Sequence, residues 1–585
     1  MHLPLFIISC ISFIQLFITD SECSEKSFRD KYYVMKRVKR QTSNIRRNDT
    51  VTTTNILRDQ FKVALTTGDD KRTRSESKQK IFSQDDVLSS RFQAPEFACN
   101  RNHSKAAEIY CYGDILHVVM MLGLYRDSKT FVDKPLKKNP DEVIVDFQRR
   151  FSNTITEEDR EEVEQFVEDN FGVEGEELDG CELSDWKEKP ERLLTIKNSA
   201  LRQFALQINY LWKNLCRTVK KKVKEQPQRY SLIYVPNEFI VPGGRFREYY
   251  YWDAYWIIKG LLASDKLIIL LELFFWKTKR SITIEKNGQN YTVFRYRADS
   301  NVPRPESYRE DYVTARDVLP SKKRTLWRNI ASTAESGWDF SSRWFADQKT
   351  METCETSNIA PVDLNAFMCW NMAILAHIHG HLGNITRRNE LNEERNVFID
   401  VFTNVFYDKT EKAWFDVNIQ TGKRNYEAYP SIAIPLFAEC YRPLDTRMMT
   451  DVLDTLQRSG ILNFPFGVPV SLIKETNQQW DFPNGWANLN HMIIEGLRKS
   501  NYYRMQQKAF DIAQKWINLN YQAYLKDGKM WEKYDVTKQY EKKTQGGEYE
   551  IQDGFGWTNG VALDLLVTYG KLLSFQDEVN STGCI

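Results

Sequence analysis

The sequence predicts an all-α domain of several hundred residues. In six stretches apolar residues recur at spacings of three and four, the pattern of a helix with one buried face. These stretches are Arg192–Cys216, Asp363–His377, Met448–Leu456, Leu489–Leu497, Ala509–Tyr524 and Val561–Leu573. Strand-like pieces such as Leu232–Val235 are few. The connecting loops are rich in glycine and aromatic residues, which indicates that the function lies on the loops.

The composition is that of a large globular protein with balanced charge. The chain has 585 residues, 42% hydrophobic and 13% aromatic, and its net charge is +2 from 81 basic and 79 acidic residues. This length is sufficient for a large core. The charge balance gives no reason to expect nucleic acid or an anionic membrane as a partner. An uncharged substrate fits it.

The N-terminus predicts export. An apolar run from Leu3 to Ile18 is followed by small and polar residues, so we interpret residues 1–22 as a secretory signal peptide. An uncleaved N-terminal membrane anchor is the alternative. The tail lacks the hydrophobic segment of a GPI anchor, and no membrane span is expected in the mature chain. Sequons agree with secretion, and they occur at Asn48, Asn102, Asn290, Asn384 and Asn580.

The cysteines do not form a metal-binding or disulfide-rich pattern. There are ten, without a CxxC pair, and removal of Cys10 with the signal peptide leaves an odd number. We expect one or two disulfide bridges at most and no zinc site.

The segment 23–90 is polar and dense in charge, so we predict a flexible pro-region or linker. Arg37–Arg40 is either a processing site or an ordinary basic tail. The catalytic domain is expected at 91–575, followed by a short tail at 576–585. Within it, Ile109–Phe147 predicts a helix, a loop (127–135) and a second helix start. Ile257–Phe275 is apolar but is interrupted by charges such as Asp265, so we expect a buried helix pair rather than a membrane helix.

One stretch combines charges and rings in an unusual way. Pro242–Tyr255 reads PGGRFREYYYWDAY, and two glycines that permit a sharp turn precede Arg245, Glu248 and Asp253 among six aromatic residues. Aromatic rings stack on the apolar faces of a pyranose, and charged groups bind its hydroxyls. The segment is therefore either a sugar site or a buried aromatic turn with an internal Arg–carboxylate pair.

This segment resembles the first signature of the trehalases, inverting glycoside hydrolases that split α,α-trehalose into two glucoses. Every defined position of that signature matches. The second signature is found as QWDFPNGWANLNHM (479–492), with Asn488 where the family has proline. The resemblance implies an (α/α)6 toroid of helical hairpins around a central pocket. It also implies no cofactor and a small neutral disaccharide as the partner, because two carboxyls suffice for this reaction.

Asp339 is the candidate general acid. It lies in ESGWDFSSRW (335–344), where Gly337 permits a tight turn and Trp338 shields the carboxyl, and burial raises a carboxyl pKa. From the residues alone, Asp339 could instead cap a helix. The resemblance implies that this loop carries the acid.

Two glutamates compete for the role of base. Glu532, in KMWEKYDV (529–536), has the appearance of a solvated surface charge, whereas Glu548 lies in the glycine- and aromatic-rich QGGEYEIQDGFGWTNG (545–560). The residues alone favour Glu548 as the base. The resemblance instead implies that Glu532 activates water and that Glu548 contacts the substrate.

The resemblance implies a set of sugar-binding residues: Arg245, Trp252, Asp253, Arg304, Glu306, Gly337 and Glu548. Arg304 and Glu306 lie in PRPESYREDY (303–312), and a structural Arg–Glu pair is the alternative there. His377, His379 and His381 could suggest a metal. Without another ligand nearby, and with Gly380 expected to end the helix, we predict no metal site.

One part of the family pattern is absent. Between residues 256 and 303 we find no counterpart of a family motif close to PNGxRxYYxxRSQPP, whose Asn, Arg and Gln grip the sugar. The toroid is therefore expected to lack about one hairpin. The leading hypothesis is a secreted α,α-trehalase. The alternative is a catalytically impaired sugar-binding protein on the same scaffold.

Overall fold

The fold comes from a computed structural model that describes residues 105–183, 185–264, 276–442, 446–540, 544 and 547–575. The expected signal peptide, the polar segment 23–90 with Arg37–Arg40, and the tail 576–585 lie outside the described residues. The sequons at Asn48, Asn102 and Asn580 do too.

Helices dominate the described residues. The longer ones are Asp114–Met121, Pro140–Arg150, Arg160–Asn170, Ser199–Leu215, Tyr251–Ala263, Pro320–Ser336, Val362–His381, Ile385–Phe406, Thr446–Ser459, Ala487–Lys499, Tyr503–Asp527 and Gly556–Thr568. The shorter ones are Lys105–Ala107, Lys129–Val132, Glu191–Leu194, Lys221–Glu225, Tyr308–Thr314 and Ile434–Phe437. All six stretches predicted from apolar spacing are helical over most of their length. The segment predicted as a loop contains the short helix Lys129–Val132.

Strands are short. They are Leu178–Gly180, Cys216–Val219, Phe239–Ile240, Ser281–Lys286, Gln289–Phe294, Ile359–Ala360, Tyr407–Asp408, Ala413–Trp414, Val417–Asn418, Asn484–Trp486 and Lys533–Asp535. The strand-like piece Leu232–Val235 is irregular, so that prediction is wrong. Cys216–Val219 instead pairs with Leu178–Gly180 on one edge and with Phe239–Ile240 on the other, which satisfies its backbone groups.

The principal helices form a ring. Tyr251–Ala263 packs against Gly556–Thr568, and that helix packs against Ala487–Lys499. Ala487–Lys499 contacts the short helix Ile434–Phe437, which contacts Val362–His381. The ring closes where Trp252 and Tyr255 meet the rings of Phe367 and Trp370, with centroids 6.3 and 5.5 Å apart. Three further helices pack on the outside of ring members: Ser199–Leu215, Ile385–Phe406 and Tyr503–Asp527. The all-α toroid expected from the sequence is confirmed.

The described part of the chain contributes five helices to this inner ring rather than the six of an (α/α)6 toroid. Tyr251–Ala263 and Val362–His381, which meet through aromatic side chains, flank in sequence the region expected to lack a hairpin. Among the described residues, no sixth inner helix lies between these two in the ring. The first half of the apolar stretch Ile257–Phe275 belongs to the buried helix Tyr251–Ala263. Its second half, 265–275, is outside the described residues.

None of the described helices combines the length and apolarity needed to cross a bilayer. Disulfide bonds join Cys181 to Cys216 and Cys369 to Cys440. Cys111 is also disulfide-bonded, so the expectation of at most two bridges is wrong. The sequence could not show this, because cysteine pairing depends on which segments the fold brings together.

Helix ends account for two further details. The side-chain oxygen of Asn384 accepts a hydrogen bond from the backbone N–H of Arg387 and so caps helix Ile385–Phe406. Helix Val362–His381 runs one residue past Gly380, so this glycine does not end the helix. Three ring helices begin within a segment that carries a conspicuous sequence motif: Tyr251–Ala263, Ala487–Lys499 and Gly556–Thr568.

Candidate active site

The glycine turn of the first signature packs against the strand-like segment at 552–554. Gly243 has φ +126° and Gly244 has φ +58°, values that favour glycine. A Cβ on Gly244 would lie 2.0 Å from Oε1 of Gln552. Gln552 Oε1 also accepts the backbone N–H of Arg245 at 2.8 Å. The turn is thus fixed directly to the segment that adjoins Glu532.

Arg245 is held by a carboxylate and an aromatic ring. Its guanidinium donates two hydrogen bonds to Asp127, at 2.8 and 2.7 Å. The guanidinium carbon lies 4.5 Å from the centroid of the Tyr549 ring. The turn, the loop at 127 and the loop at 549 therefore meet at this side chain.

The loop that carries Asp339 begins where helix Pro320–Ser336 ends. Gly337 has φ +74°, and a Cβ there would lie 2.9 Å from Nε1 of Trp252. Only glycine allows this turn to approach the first signature so closely. Trp338 is buried and stacks on Trp480, with centroids 5.7 Å apart. We call residues 337–345 the acid loop.

A buried arginine within the acid loop ties this loop to two carboxylates. Arg343 donates two hydrogen bonds to Asp363 and two to Asp416, at 2.7–2.9 Å. Its guanidinium carbon lies 4.4 Å from the ring of Trp338 and 4.5 Å from that of Trp344. Such charged pairs with fork geometry position a loop as well as bind it.

The second signature holds the other side of the acid loop. The backbone N–H of Trp480 donates to the carbonyl of Phe340 at 3.0 Å. Asp481, fully buried, accepts hydrogen bonds from the backbone N–H of Ser342 and from the hydroxyls of Ser341 and Ser342. Asn488, at the position where the family has proline, accepts the N–H of Leu489 through its own side chain.

Glu532 directly precedes strand Lys533–Asp535, which pairs antiparallel with Asn484–Trp486 of the second signature. Its backbone N–H donates to the carbonyl of Gln552 at 3.1 Å. The side chain is fully buried, and neither carboxylate oxygen has a hydrogen-bond partner among the described residues. Glu532 is therefore not the solvated surface charge that its sequence neighbourhood suggests.

Both candidate carboxyls have raised pKa values. Burial raises the pKa of Glu532 to about 7, against the lowering effects of Lys533 and Arg245. Burial likewise raises the pKa of Asp339 to about 7; Arg304 opposes this, and the charges of Glu548 and Glu306 add to it. The charge of Asp339 adds to the rise in the pKa of Glu532.

A third carboxyl, Asp253, belongs to the same cluster. It lies in the first turn of helix Tyr251–Ala263 and is buried. Burial raises its pKa well above the usual range, and the charges of Asp339 and Glu532 raise it further. The neighbouring Trp252 is half-buried, and its indole N–H has no hydrogen-bond partner among the described residues.

The remaining predicted site residues form a second group beside Asp339. Arg304 is buried and donates to both oxygens of Asp311, at 3.0 and 2.6 Å, and to Glu548, at 2.9 and 3.1 Å. Glu548 also accepts the hydroxyl of Ser307 at 2.9 Å. Glu306 is half-buried, and its charge raises the pKa of Asp339. Arg304 is thus paired with Asp311 and Glu548 rather than with Glu306 as the structural alternative had it, and its charge also acts on Asp339.

Several residues that hold the site were not singled out from the sequence. They are Asp127, Asp311, Lys533, Tyr549 and Gln552. Tyr549 and Gln552 lie beside Glu548 and could have been suspected from the glycine-rich loop. Asp127 is 118 positions from Arg245 and has no local signal.

Possible metal ligands occur away from this cluster. The imidazole Nε2 atoms of His377 and His381 lie 2.7 Å apart on the exposed end of their helix. His491, Glu495 and Asp564 form a buried group. Lys259 and Arg498 already pair with the carboxylates of that group, so it has the form of an internal ion-pair network.

Comparison with known proteins identifies the family. The sequence model described as "Trehalase" matches residues 123–273 and 268–570. The chain belongs to the trehalase family. The trehalases are glycoside hydrolases that act on trehalose, so the recognition made from the two signatures is confirmed.

Individual relatives agree with this family. The chain is 39% identical to the trehalase of Oryctolagus cuniculus over 533 residues, which cover 80% of this chain and 91% of that protein. It is 37% identical to the Homo sapiens trehalase, with 80% and 90% coverage. Among solved structures, the neutral trehalase Nth1 of Saccharomyces cerevisiae matches with a TM-score of 0.43 at 17% identity, over 57% of this chain and 73% of that one. The family assignment rests on the sequence matches.

The trehalase family pattern is interrupted in this chain. The family model matches this chain in two separate segments, 123–273 and 268–570, rather than in one continuous match. The two segments share residues 268–273. The interruption lies inside the interval 256–303, where the sugar-gripping motif has no counterpart. In sequence it lies between Tyr251–Ala263 and Val362–His381, the two helices whose aromatic side chains meet in the ring.

Proposed function

We propose that this chain hydrolyses α,α-trehalose to two glucose molecules with inversion, with Asp339 as the general acid and Glu532 as the general base. The reaction needs one carboxyl that is protonated and one that is ionised. The observation that carries the proposal is the clustering of two buried carboxyls, each with a pKa raised to about 7, in different charge environments.

The charges around the two carboxyls support this assignment of roles. Glu532 lies near the cations Lys533 and Arg245, which favour its ionised form. Asp339 has Arg304 nearby but also two carboxylates, Glu548 and Glu306, which favour its protonated form. Burial raises both pKa values to about 7, so the neighbouring charges are what distinguishes the two carboxyls and supports their different roles.

In the proposed reaction, Asp339 gives its proton to the glycosidic oxygen as the bond to the anomeric carbon breaks. Glu532 accepts a proton from a water molecule, whose oxygen attacks that carbon from the opposite face. One glucose leaves with its α configuration, and the attacked glucose appears as the β anomer. No cofactor enters this scheme.

The surrounding residues suit a neutral disaccharide. Trp252 supplies a half-buried aromatic face, and Arg245, Arg304, Glu306 and Glu548 supply donors and acceptors for hydroxyl groups. Each of the two arginines is paired with a carboxylate, so neither offers an unbalanced positive charge to an anionic ligand. This agrees with an uncharged sugar as the substrate.

The experiment is glucose release from trehalose by the purified chain, with maltose and sucrose as competing substrates. Asp339→Asn and Glu532→Gln should each reduce the rate by at least about a hundredfold. Glu550→Gln, which removes an exposed carboxylate two residues from Glu548, is the matched control and should retain activity.

Two outcomes would contradict the assignment. Unchanged activity in Asp339→Asn would remove it from the role of acid. NMR of the first products should show equal α- and β-glucose; α-glucose alone would mean retention of configuration. Trehalose binding by calorimetry without glucose release would instead support the sugar-binding alternative.

We also propose that the chain is exported. The disulfides Cys181–Cys216 and Cys369–Cys440 suit an oxidising compartment. The described sequons, Asn290 and Asn384, are both exposed. Glycosidase treatment of the protein from a secreting host should lower its apparent mass.

A further inference from the structure

A buried lysine lies next to the proposed base and is not used by the proposed reaction. Lys533 is 1% exposed. Its Nζ donates a hydrogen bond to Oε1 of Gln479 at 3.0 Å and lies 5.7 Å from the centroid of the Trp486 ring. A lysine is rarely buried without a specific reason, because the charged form loses its hydration.

Gln479 extends this contact to the acid loop. Its Nε2 donates to the backbone carbonyl of Asp339 at 2.8 Å and to the hydroxyl of Tyr549 at 3.2 Å. Because Oε1 accepts from Lys533, the amide can present its N–H groups only toward Asp339 and Tyr549. Gly547 packs over the same amide, where a Cβ would lie 2.7 Å from Oε1.

The chain of contacts therefore runs from one reacting carboxyl to the other. Glu532 is adjacent to Lys533, Lys533 binds Gln479, and Gln479 binds the carbonyl of Asp339. Tyr549 adds a branch, since its ring also faces Arg245. Inversion requires a defined separation of the two carboxyls, so a direct link between their loops has a mechanistic consequence.

Lys533 also contributes charge at the base. Several titratable groups face Glu532: Lys533 on its own strand, Arg245 on the glycine turn, Asp339 on the acid loop, Asp253 on helix Tyr251–Ala263 and Tyr549 on the loop after 547. Lys533 is the first of these among the influences that favour the ionised form of Glu532.

We propose that Lys533 and Gln479 are positioning residues that hold the two carboxyl-bearing loops in register and keep the base ionised at neutral pH. This inference rests on the proposed hydrolysis and extends it to two residues that do not react. Lys533 acts through its charge on Glu532, and Gln479 acts through its hydrogen bonds to the acid loop.

The two roles give different kinetic signatures. In Lys533→Met the loss of positive charge should shift the acidic limb of the kcat/KM profile to higher pH by roughly one unit. Lys533→Arg retains the charge and should return the limb toward its original position. In Gln479→Leu the charge is unchanged, so kcat should fall by about tenfold or more while both limbs stay in place.

Controls separate these effects from unfolding. Lys538→Met removes an exposed lysine from the same segment and should leave the profile unchanged. Melting temperatures of all variants identify any that fail to fold. A loss of kcat in Lys533→Met without movement of the acidic limb would overturn the electrostatic role, because a purely structural residue predicts that result.

A second measurement does not need turnover. Calorimetry of trehalose binding in two buffers of different ionisation enthalpy gives the protons exchanged on binding at each pH. Lys533→Met should shift that pH dependence in the same direction as the kinetic limb. If the unmodified chain releases no glucose, the proposed hydrolysis fails while this shift still tests the role of Lys533. Absence of the shift would overturn the inference.

Discussion

At the scale of single residues, the site depends on two carboxyls whose pKa values burial raises to about 7. The base must be ionised, so activity should fall as the pH drops below the pKa of Glu532. The acid must be protonated, so activity should fall as the pH rises above that of Asp339. With both pKa values raised to about 7, we expect a narrow bell centred near neutral pH.

The pH profile of kcat/KM on trehalose tests this expectation. Its two limbs belong to the interacting pair rather than to one residue each. A broad plateau extending several pH units to either side of neutrality would show that the two carboxyls are less buried during catalysis than in this structure.

At Gly337 both the backbone conformation and a close neighbour disfavour any side chain. Gly337→Ala forces a side chain into φ +74° and brings its Cβ within 2.9 Å of Trp252. The acid loop must then move, and a displacement of about 1 Å can reduce a rate by about a hundredfold. Gly288→Ala is the matched control, because Gly288 has φ +73° but no neighbour within 4 Å of its Cβ. Equal activity in the two variants, measured as glucose release, would contradict the role of the close approach.

At the scale of elements, the acid loop is held by buried charges. Arg343→Met would leave Asp363 and Asp416 buried without their cation. Breaking such a pair costs about 3–5 kcal/mol of unfolding free energy. Chemical denaturation should show this loss, and Arg387→Met, at an exposed pair with Glu390, should change stability by less than about 1 kcal/mol. A loss of similar size in both variants would contradict the argument.

The helices were the part of the fold that the sequence predicted best. The helices at Ala487–Lys499 and Tyr503–Asp527 follow from apolar spacing alone, because helix periodicity is a local property. Leu232–Val235 failed as a strand because strand pairing depends on neighbours distant in the sequence.

The site was predicted in part, and for a physical reason. Glycines and rings mark the loops that approach a ligand, and the family resemblance supplied the roles of Asp339 and Glu532. The residues alone would have chosen Glu548 over Glu532, since the burial of Glu532 comes from strand pairing with the second signature and cannot be read locally. The partner of Arg245, Asp127, is equally invisible before the chain is folded.

At the scale of the whole molecule, we expect the interruption of the family match at 268–273 to have the greatest effect on activity. The absent motif would supply arginine contacts to a buried sugar. The loss of one such contact costs about 2–4 kcal/mol, or roughly tens- to a thousandfold in rate. Inserting the corresponding segment of the Oryctolagus cuniculus trehalase should therefore raise kcat/KM on trehalose by that order.

The unmodified chain is the reference for this comparison. Equal kcat/KM values in the two proteins would mean that the gripping residues are dispensable here, and that the aromatic contacts closing the ring preserve the site. A fall in KM alone on insertion, without an effect on kcat, would assign the segment to ground-state binding.

The helix cap formed by Asn384 is compatible with a glycan on the same side chain. The helix start uses only the side-chain oxygen, whereas an N-linked glycan is attached through the nitrogen, so one residue can do both at once. In protein from a secreting host, Asn384→Asp should remove any glycan attached there and keep the helix start intact, and Asn384→Gln should remove both. A comparison of the two variants would separate the contribution of the carbohydrate to solubility and shelf life from that of the helix itself.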